Sequence, residues 1–341
     1  MIVEGQGNVG GGGPMDRRHF LKTATLGVLG PAFGAEAQQR HPSPHRIGIL
    51  SQAYFPNAPS VRGLKTGLRE LGFEEGRDLL FETALGEGDA QRVRVAAMTL
   101  VRAKVDVIFA DQEAAARAAK EATERIPIVF CAVGDPVATG MVKAMAHPGA
   151  NVTGVSGLTT ELVPKRLESL KAAVPGVRRV WAVYDAADST SRIAAQKAAS
   201  VAGTLGFELL DRPVRSSGEA IATLKTIPLK EGLKHGLLAP LEVNLSIPGS
   251  VIDISPWVPS VFDQPYWVEA GALMSYGADT VAMGQQAARL VAKILRGERP
   301  QDLPVEGANR IELVISLKTA KQLRLTIPAS VLARADRVIS E

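Results

Sequence analysis

The chain has 341 residues, 46% of them hydrophobic, 22% charged and 5% aromatic, with a formal net charge of +4. That length exceeds one ordinary core and implies two lobes. The apolar content excludes disorder, and 33 glycines and 21 prolines scattered without period exclude a collagen-like or coiled-coil rod. No basic stripe with interleaved aromatics supports nucleic-acid binding.

Taken in order, residues 1–14 carry Gly5-x-Gly7-x-x-Gly10, which spells a dinucleotide fingerprint. That motif needs a strand before it and a helix after it. Only four residues precede it here, so it reads as a decoy upstream of a start at Met15. From Met15, Asp16-Arg17-Arg18-His19-Phe20-Leu21-Lys22 precedes a weakly hydrophobic run, Thr23 to Ala35, and then Ala35-Glu36-Ala37. This is the order of an export signal of the twin-arginine type. A basic, amphipathic first helix would not explain why the arginine pair and the small-residue cleavage site occur together. The apolar run, about 13 residues, falls short of the roughly 20 that span a bilayer. Residues 1–37 are thus expected to be a leader and 38–45 a linker, with a periplasmic mature chain. Cys131 is the only cysteine, so no intrachain disulfide forms, and none ends the leader to carry a lipid. It lies in the apolar run Ile128-Val129-Phe130-Cys131, the setting of a buried structural thiol.

Strand and helix patterns then alternate. Strands are expected at Arg46–Leu50, Leu79–Ala84, Val105–Ala110, Pro127–Val133 and Asn151–Val155. Helices are expected at Val61–Leu71, Gln91–Ala103, Glu113–Glu124 and Pro136–Ala146. Apolar strand runs separated by helices imply a parallel sheet covered on both faces. The pattern restarts with helix Glu161–Ala173, strand Arg179–Tyr184, helix Ser191–Leu205, strand Glu208–Pro213, helix Gly218–Thr226 and strand His235–Ala239. It lapses over Val243–Gln264 and resumes with strand Ala272–Ser275, helix Thr280–Arg296 and strand Ile311–Ile315. The expected fold is α/β, two Rossmann-like doubly wound lobes joined by a hinge. Lobe I takes 46–155 plus 277–305 and lobe II 156–276. Residues 306–341 form a C-terminal strand and helices that the pattern assigns to neither lobe.

Such sheets bind ligands beyond the carboxyl ends of their strands. The candidate loops are therefore Ser51–Pro56, Asp111–Glu113, Gly134–Pro136, Tyr184–Ser189, Pro240–Asn244 and Gln264–Trp267. The catalytic inventory is thin. His41 and His45 share a tail that could bind stray metal but reads better as a solvated linker, His147 and His235 have no second nitrogen or sulfur ligand nearby, and neither a nucleophile elbow nor a phosphate-binding Gly-x-x-x-x-Gly-Lys motif occurs. No enzyme activity, cofactor or metal is expected. Recognition chemistry is present instead. Asp135 can cap a helix starting at Pro136, whose free amides can hold a ligand carboxylate. Asp111 can hold an ammonium or cap the next helix. Tyr54, Tyr184 and Tyr266 sit at or near the loops, where they can stack on a flat ligand or pack at strand ends.

Several blocks carry a resemblance. They are Gly67-Leu68-Arg69-Glu70-Leu71-Gly72-Phe73, Glu87-Gly88-Asp89-Ala90, Ile126-Pro127-Ile128-Val129-Phe130, Gly134-Asp135-Pro136-Val137, and Pro148-Gly149-Ala150-Asn151-Val152-Thr153-Gly154. Gly271-Ala272-Leu273-Met274-Ser275-Tyr276-Gly277 and Asp302-Leu303-Pro304-Val305-Glu306 extend it. Over nearly all of 46–340 the chain resembles the substrate-binding proteins of ABC transporters that include tryptophan- and tyrosine-binding members. The resemblance implies a type I periplasmic binding protein: two lobes, three crossovers, and a small molecule, often an aromatic amino acid, clamped between them. It implies uptake, with a monomer delivering its ligand to an inner-membrane permease. By position, Ser51, Asp111, Asp135 and Thr153 would line the first lobe, and Asp185 with Tyr266–Glu269 the second. With Tyr54 and Gln112, the ligand-binding candidates are Ser51, Tyr54, Asp111, Gln112, Asp135, Thr153, Asp185, Tyr266 and Glu269.

The chain departs from the family pattern at Glu82-Thr83-Ala84, where an arginine is usual. It departs again at Asp111-Gln112, usually Gly-Thr, and in the proline-broken Val243–Gln264 segment. The last two departures lie at candidate loops, which leaves ligands other than amino acids open. A sensor feeding a membrane receptor, or an exported cofactor enzyme, are the alternative functions.

Overall fold

The computed structural model describes residues 43–52, 56–229, 233–238 and 257–340. The first lobe opens with β1 (His45–Ser51), α1 (Pro59–Glu70), β2 (Leu79–Leu85), α2 (Ala90–Arg102) and β3 (Val107–Asp111). It continues through α3 (Gln112–Ala122), β4 (Ile128–Val133) and β5 (Val152–Ser156). There follow α4 (Val163–Ala173), β6 (Arg179–Asp185), α5 (Ser189–Ala202), β7 (Glu208–Val214), α6 (Ser217–Leu224) and β8 (His235–Leu238). Next come β9 (Ser260–Phe262), α7 (Pro265–Glu269), β10 (Met274–Ala278) and α8 (Thr280–Leu295). Last are β11 (Glu306–Gly307), β12 (Ile311–Ser316), α9 (Leu317–Gln322), α10 (Ala329–Leu332) and β13 (Arg337–Ile339).

One sheet has the order β11-β5-β4-β3-β1-β2, the other β13-β12-β10-β9-β8-β6-β7. Both faces of each sheet are covered. In the first, Ile47, Ile49 and Phe109 pack under α1 and α8, while Leu50, Ile108 and Ala110 pack under α2 and α3. The side chains alternate between faces while the strand as a whole stays buried, which is why β3 reads as an unbroken apolar run. In the second sheet, Val180 and Val261 face α4 and α5, and Trp181, Val183 and Phe262 face α6 and α7.

Three expectations are corrected. Pro136–Ala146 forms turns, not a helix. Asp135 does cap one turn, its Oδ1 accepting from the Ala138 amide at 3.0 Å, but Gly140 then adopts a left-handed φ of +70° and ends it. Met141 and Val142 are thereby turned into the core. Second, the sheets are not wholly parallel: β12 runs antiparallel to β10. The chain leaves the second sheet after β10, adds β11 to the edge of the first, and comes back from the other side. Third, the irregular Val243–Gln264 stretch ends in a regular strand, β9, parallel to β8. The rest of that stretch before Trp257, like the expected leader and linker up to Pro42, lies outside the described residues. Residues past 305 divide, with β11 in the first sheet and β12 and β13 in the second.

The chain thus passes between sheets after β5, after β10 and after β11. Polar groups pin each passage. Arg166 on α4, 1% exposed, donates from Nε to the Tyr276 carbonyl and from Nη1 to the Thr159 carbonyl, both at 2.8 Å. At the second and third passages the Asp279 amide donates to the Arg310 carbonyl at 3.0 Å, and its carboxylate pairs with the Arg310 guanidinium at 3.3 Å. Gln286 donates from Nε2 to Glu306 at 2.6 Å and to the Gly307 carbonyl at 2.9 Å.

The returning helix α8 lies against α1 with backbones almost touching. A Cβ at Gly284 would stand 2.0 Å from the Ser60 carbonyl oxygen, and one at Gly63 2.0 Å from that of Val281. Neither helix can retreat, because both rest on the sheet. Gly284→Val is expected to lower unfolding free energy by about 1–3 kcal/mol, read from the midpoint of urea denaturation. An exposed-face control on the same helix, Arg289→Ala, should change it far less.

Candidate ligand-binding cleft

Helices α3 and α5 each start at the carboxyl end of a strand, β3 in the first sheet and β6 in the second. Their first turns meet. Thr190 donates from Oγ1 to Oε2 of Glu113 at 2.6 Å, and Ser189 from Oγ to Oε1 at 3.3 Å. Gly134, just past β4, lies against the same threonine: a Cβ there would be 2.4 Å from Thr190 Cγ2. The carboxyl ends of the two sheets therefore face each other, which is the geometry of a ligand cleft. Beside the contact lies a depression of about 220 Å³ bordered by Arg94, Glu113, Arg117, Glu121, Asp185 and Asp188.

The candidates fall into three groups. Ser51, Asp111, Gln112, Asp135 and Asp185 all stand at carboxyl ends of strands. Asp111 is 4% exposed and accepts from Ser60 Oγ at 2.7 Å and Ser51 Oγ at 3.1 Å. Burial raises its pKa against the opposing effect of both hydroxyls. Gln112, half-buried, begins α3 with φ of 71°. Asp185 accepts from the Ala187 amide at 2.8 Å. Tyr266, the second residue of α7, is exposed, with its ring edge-on to Trp267. Thr153 and Glu269 lie elsewhere. Thr153 is two-thirds of a strand back from the end of β5, fully buried, and donates to the Leu303 carbonyl at 2.9 Å. Glu269, at the far end of α7, pairs with Arg337 at 2.9 Å. Tyr54 lies outside the described residues. Tyr184, expected near the cleft, is buried on the α5 side, its hydroxyl bonded to Asp211 on β7.

Sequence reading placed Glu113 and Asp188 within candidate loops without giving either a role, and missed Thr190, Asp263 and Arg166. An acid in the first turn of a helix usually complements the dipole, so Glu113 carried no distinctive signal, and α5 was expected to start later, at Ser191. Asp188 caps α5, accepting from the Ser191 amide at 2.6 Å. Its pKa is raised by burial, and further by Glu113 and Asp185, against the Ser191 bonds. Asp263, directly after β9, is also raised by burial, with Arg166 opposing.

Two properties emerge. First, carboxylates outnumber cations around the depression: Glu113, Glu121, Asp185 and Asp188 against Arg94 and Arg117. Second, three adjacent strands of the first sheet are followed or interrupted near their ends by non-glycine residues in the left-handed region: Gln112 (φ 71°), Ala132 (φ 63°) and Leu158 (φ 53°). Such backbone persists only where packing imposes it, and it clusters at binding sites. Ala132 marks a bulge where the β4–β5 register shifts between Cys131 and Val133. Among the described residues no cluster of His, Cys, Asp and Glu could hold a metal, and no helix is long and apolar enough to cross a membrane.

Residues 57–339 match the family described as ABC transporter substrate binding protein. This chain belongs to that family. The tyrosine-binding protein of Clostridioides difficile (strain R20291) is 26% identical over 278 residues, covering 81% of this chain and 80% of the relative. An ABC domain from Streptococcus pneumonia, solved in complex with L-Trp, is 27% identical over 87% of this chain and 100% of its own, with a TM-score of 0.79. A substrate binding protein with adhesive properties from Clostridium difficile, solved in a ligand-free, open state, is 26% identical over 87% and 100%, with a TM-score of 0.67. This substrate-binding protein shares their two-lobed type I periplasmic binding protein fold.

Because burial raises the Asp111 pKa, there is a pH range above the ordinary aspartate value in which the native state keeps a proton that the unfolded state has released. Its contribution to stability is full below the ordinary aspartate value of about 3.9 and is lost as pH climbs through the raised native value. Asp111→Asn removes this dependence. Denaturation at several pH values between 4 and 7 is expected to show wild-type stability falling relative to Asp111→Asn as pH rises.

Proposed function

We propose that this protein is the exported, periplasmic receptor of an ABC importer, which encloses an aromatic amino acid between its lobes and hands it unchanged to an inner-membrane permease. The observation that carries this reading is the meeting of the two sets of strand ends, joined through Glu113, Ser189 and Thr190. A molecule held beside that meeting touches both lobes, so it favours closure by its differential affinity for the closed state.

The chemistry at the strand ends suits an amino acid. Asp185, partly exposed beside the depression, offers its carboxylate to an ammonium. Asp111 occupies the cap position of α3 but turns to Ser51 and Ser60, leaving the first-turn amides of that helix for a carboxylate. Exposed Tyr266 offers a ring face to an aromatic side chain. The relatives that bind tyrosine and L-Trp support the same class. The Arg17-Arg18 leader supports export in a folded state. A monomer that only captures and releases needs no catalytic constellation.

The test is equilibrium denaturation with L-tryptophan, L-tyrosine, aliphatic amino acids and neutral sugars. At a ligand concentration 100 times Kd, about 2.7 kcal/mol of stabilisation is expected from an aromatic amino acid and none from a sugar. Tyr266→Ala is expected to weaken that binding by about threefold to tenfold, the worth of one stacked pair. Stabilisation by sugars alone would replace the ligand class, and no stabilisation by any of the panel would remove the reading.

A further inference from the structure

We infer that Thr190, seated between Glu113 and Gly134, is a latch that holds the lobes closed through protein contacts alone and so sets ligand affinity without touching ligand. It rests on the capture reading only for its effect on affinity; the latch itself is a property of the two lobes.

Two independent features of the same residue support it. The first is polar. Glu113 is 8% exposed, and its carboxylate accepts from Thr190 Oγ1 at 2.6 Å and Ser189 Oγ at 3.3 Å across the lobe boundary, while Arg117 one turn along α3 pairs with it at 2.8 Å. A short bond to an ionised acceptor, made by a threonine 2% exposed, is of the stronger kind. The second is steric. Gly134 has no left-handed φ that would require glycine. What requires it is Thr190, whose Cγ2 would lie 2.4 Å from a Cβ at that position. Thr190 is β-branched and held by its hydroxyl bond, so its methyl has no free rotamer to escape into. The bare Cα of Gly134 is thus a socket for one methyl group of the opposite lobe. The greater similarity to the L-Trp complex than to the open relative, 0.79 against 0.67 at nearly equal identity and coverage, agrees with a closed arrangement.

The test reads lobe separation in the purified protein without added ligand. Spin labels at Val95→Cys on α2 and Ser200→Cys on α5 report it, both positions being exposed, while native Cys131 is fully buried and stays unlabelled. Glu113→Gln and Thr190→Val should each shift the closed-to-open ratio toward open by about tenfold, as expected for a lost charge-assisted bond. Gly134→Ala should open the lobes by a different route. Adding Thr190→Ser, which removes the methyl but keeps the hydroxyl, should restore closure in Gly134→Ala, and no merely local packing defect predicts that rescue. Unchanged distance distributions in Glu113→Gln and Gly134→Ala, or failure of the serine rescue, would overturn the latch. L-tryptophan and L-tyrosine titrations of the same variants should weaken in proportion to the opening. If neither amino acid binds the unaltered protein, the ligand reading fails while the ligand-free distances still decide the latch.

Discussion

A guanidinium almost sealed from water holds the place where the chain changes lobes. Burying Arg166 costs several kcal/mol unless its donors are met, and burial does lower its pKa, with Asp263 and Glu161 opposing. Its two carbonyl acceptors lie on opposite sides of the boundary region: Thr159 in the first passage and Tyr276 in the strand that precedes the second. Drawing those two segments to one point, with Asp279 and Arg310 tying the second passage to the third, fixes where the lobes join. Only then do the strand ends of one sheet come to oppose those of the other, and only then can α3 meet α5.

What gathers at that meeting is a set of groups that each bear a cost. Asp111, Asp188 and Asp263 are carboxylates whose ionised form is disfavoured by burial. Gln112, Ala132 and Leu158 hold backbone angles that glycine would adopt more easily. Local preferences and global fold agree through most of the molecule, and several of their conflicts gather along this edge, as expected where binding and not stability has shaped the residues.

Much of the architecture was legible in the sequence because both of its periods are strong. Val107–Asp111 is wholly apolar until its last residue, and the alanine-rich segment after it has one face for the sheet, so β3 and α3 follow from pattern alone. Pro136–Ala146 misled because Asp135-Pro136 is a sound helix start, and only the left-handed Gly140 four residues on ends it. The reversed direction of β12 left no trace in Ile311-Glu312-Leu313-Val314-Ile315, since a short, mostly apolar strand reads alike in either direction. Among the candidate residues, the strand pattern put Ser51, Asp111 and Asp185 at strand ends and Asp135 just past one, where the structure has them, while Thr153 lies farther back along β5 than that pattern implied. The pairing of Glu113 with Thr190 was invisible because it joins residues 77 apart, on lobes whose relative placement no local period encodes.

The seam between α1 and α8 bears on how such a molecule comes into being. The core of the first lobe includes Met283, Ala287, Leu290, Val291 and Ile294, all from the helix made after β10, a strand of the second sheet. The second sheet in turn awaits β12 and β13, which close the chain. A ribosome that has released only the first 279 residues has therefore built two unfinished halves with open apolar faces. Neither half matures first during synthesis; both are completed within the final sixty or so residues, nearly in one event.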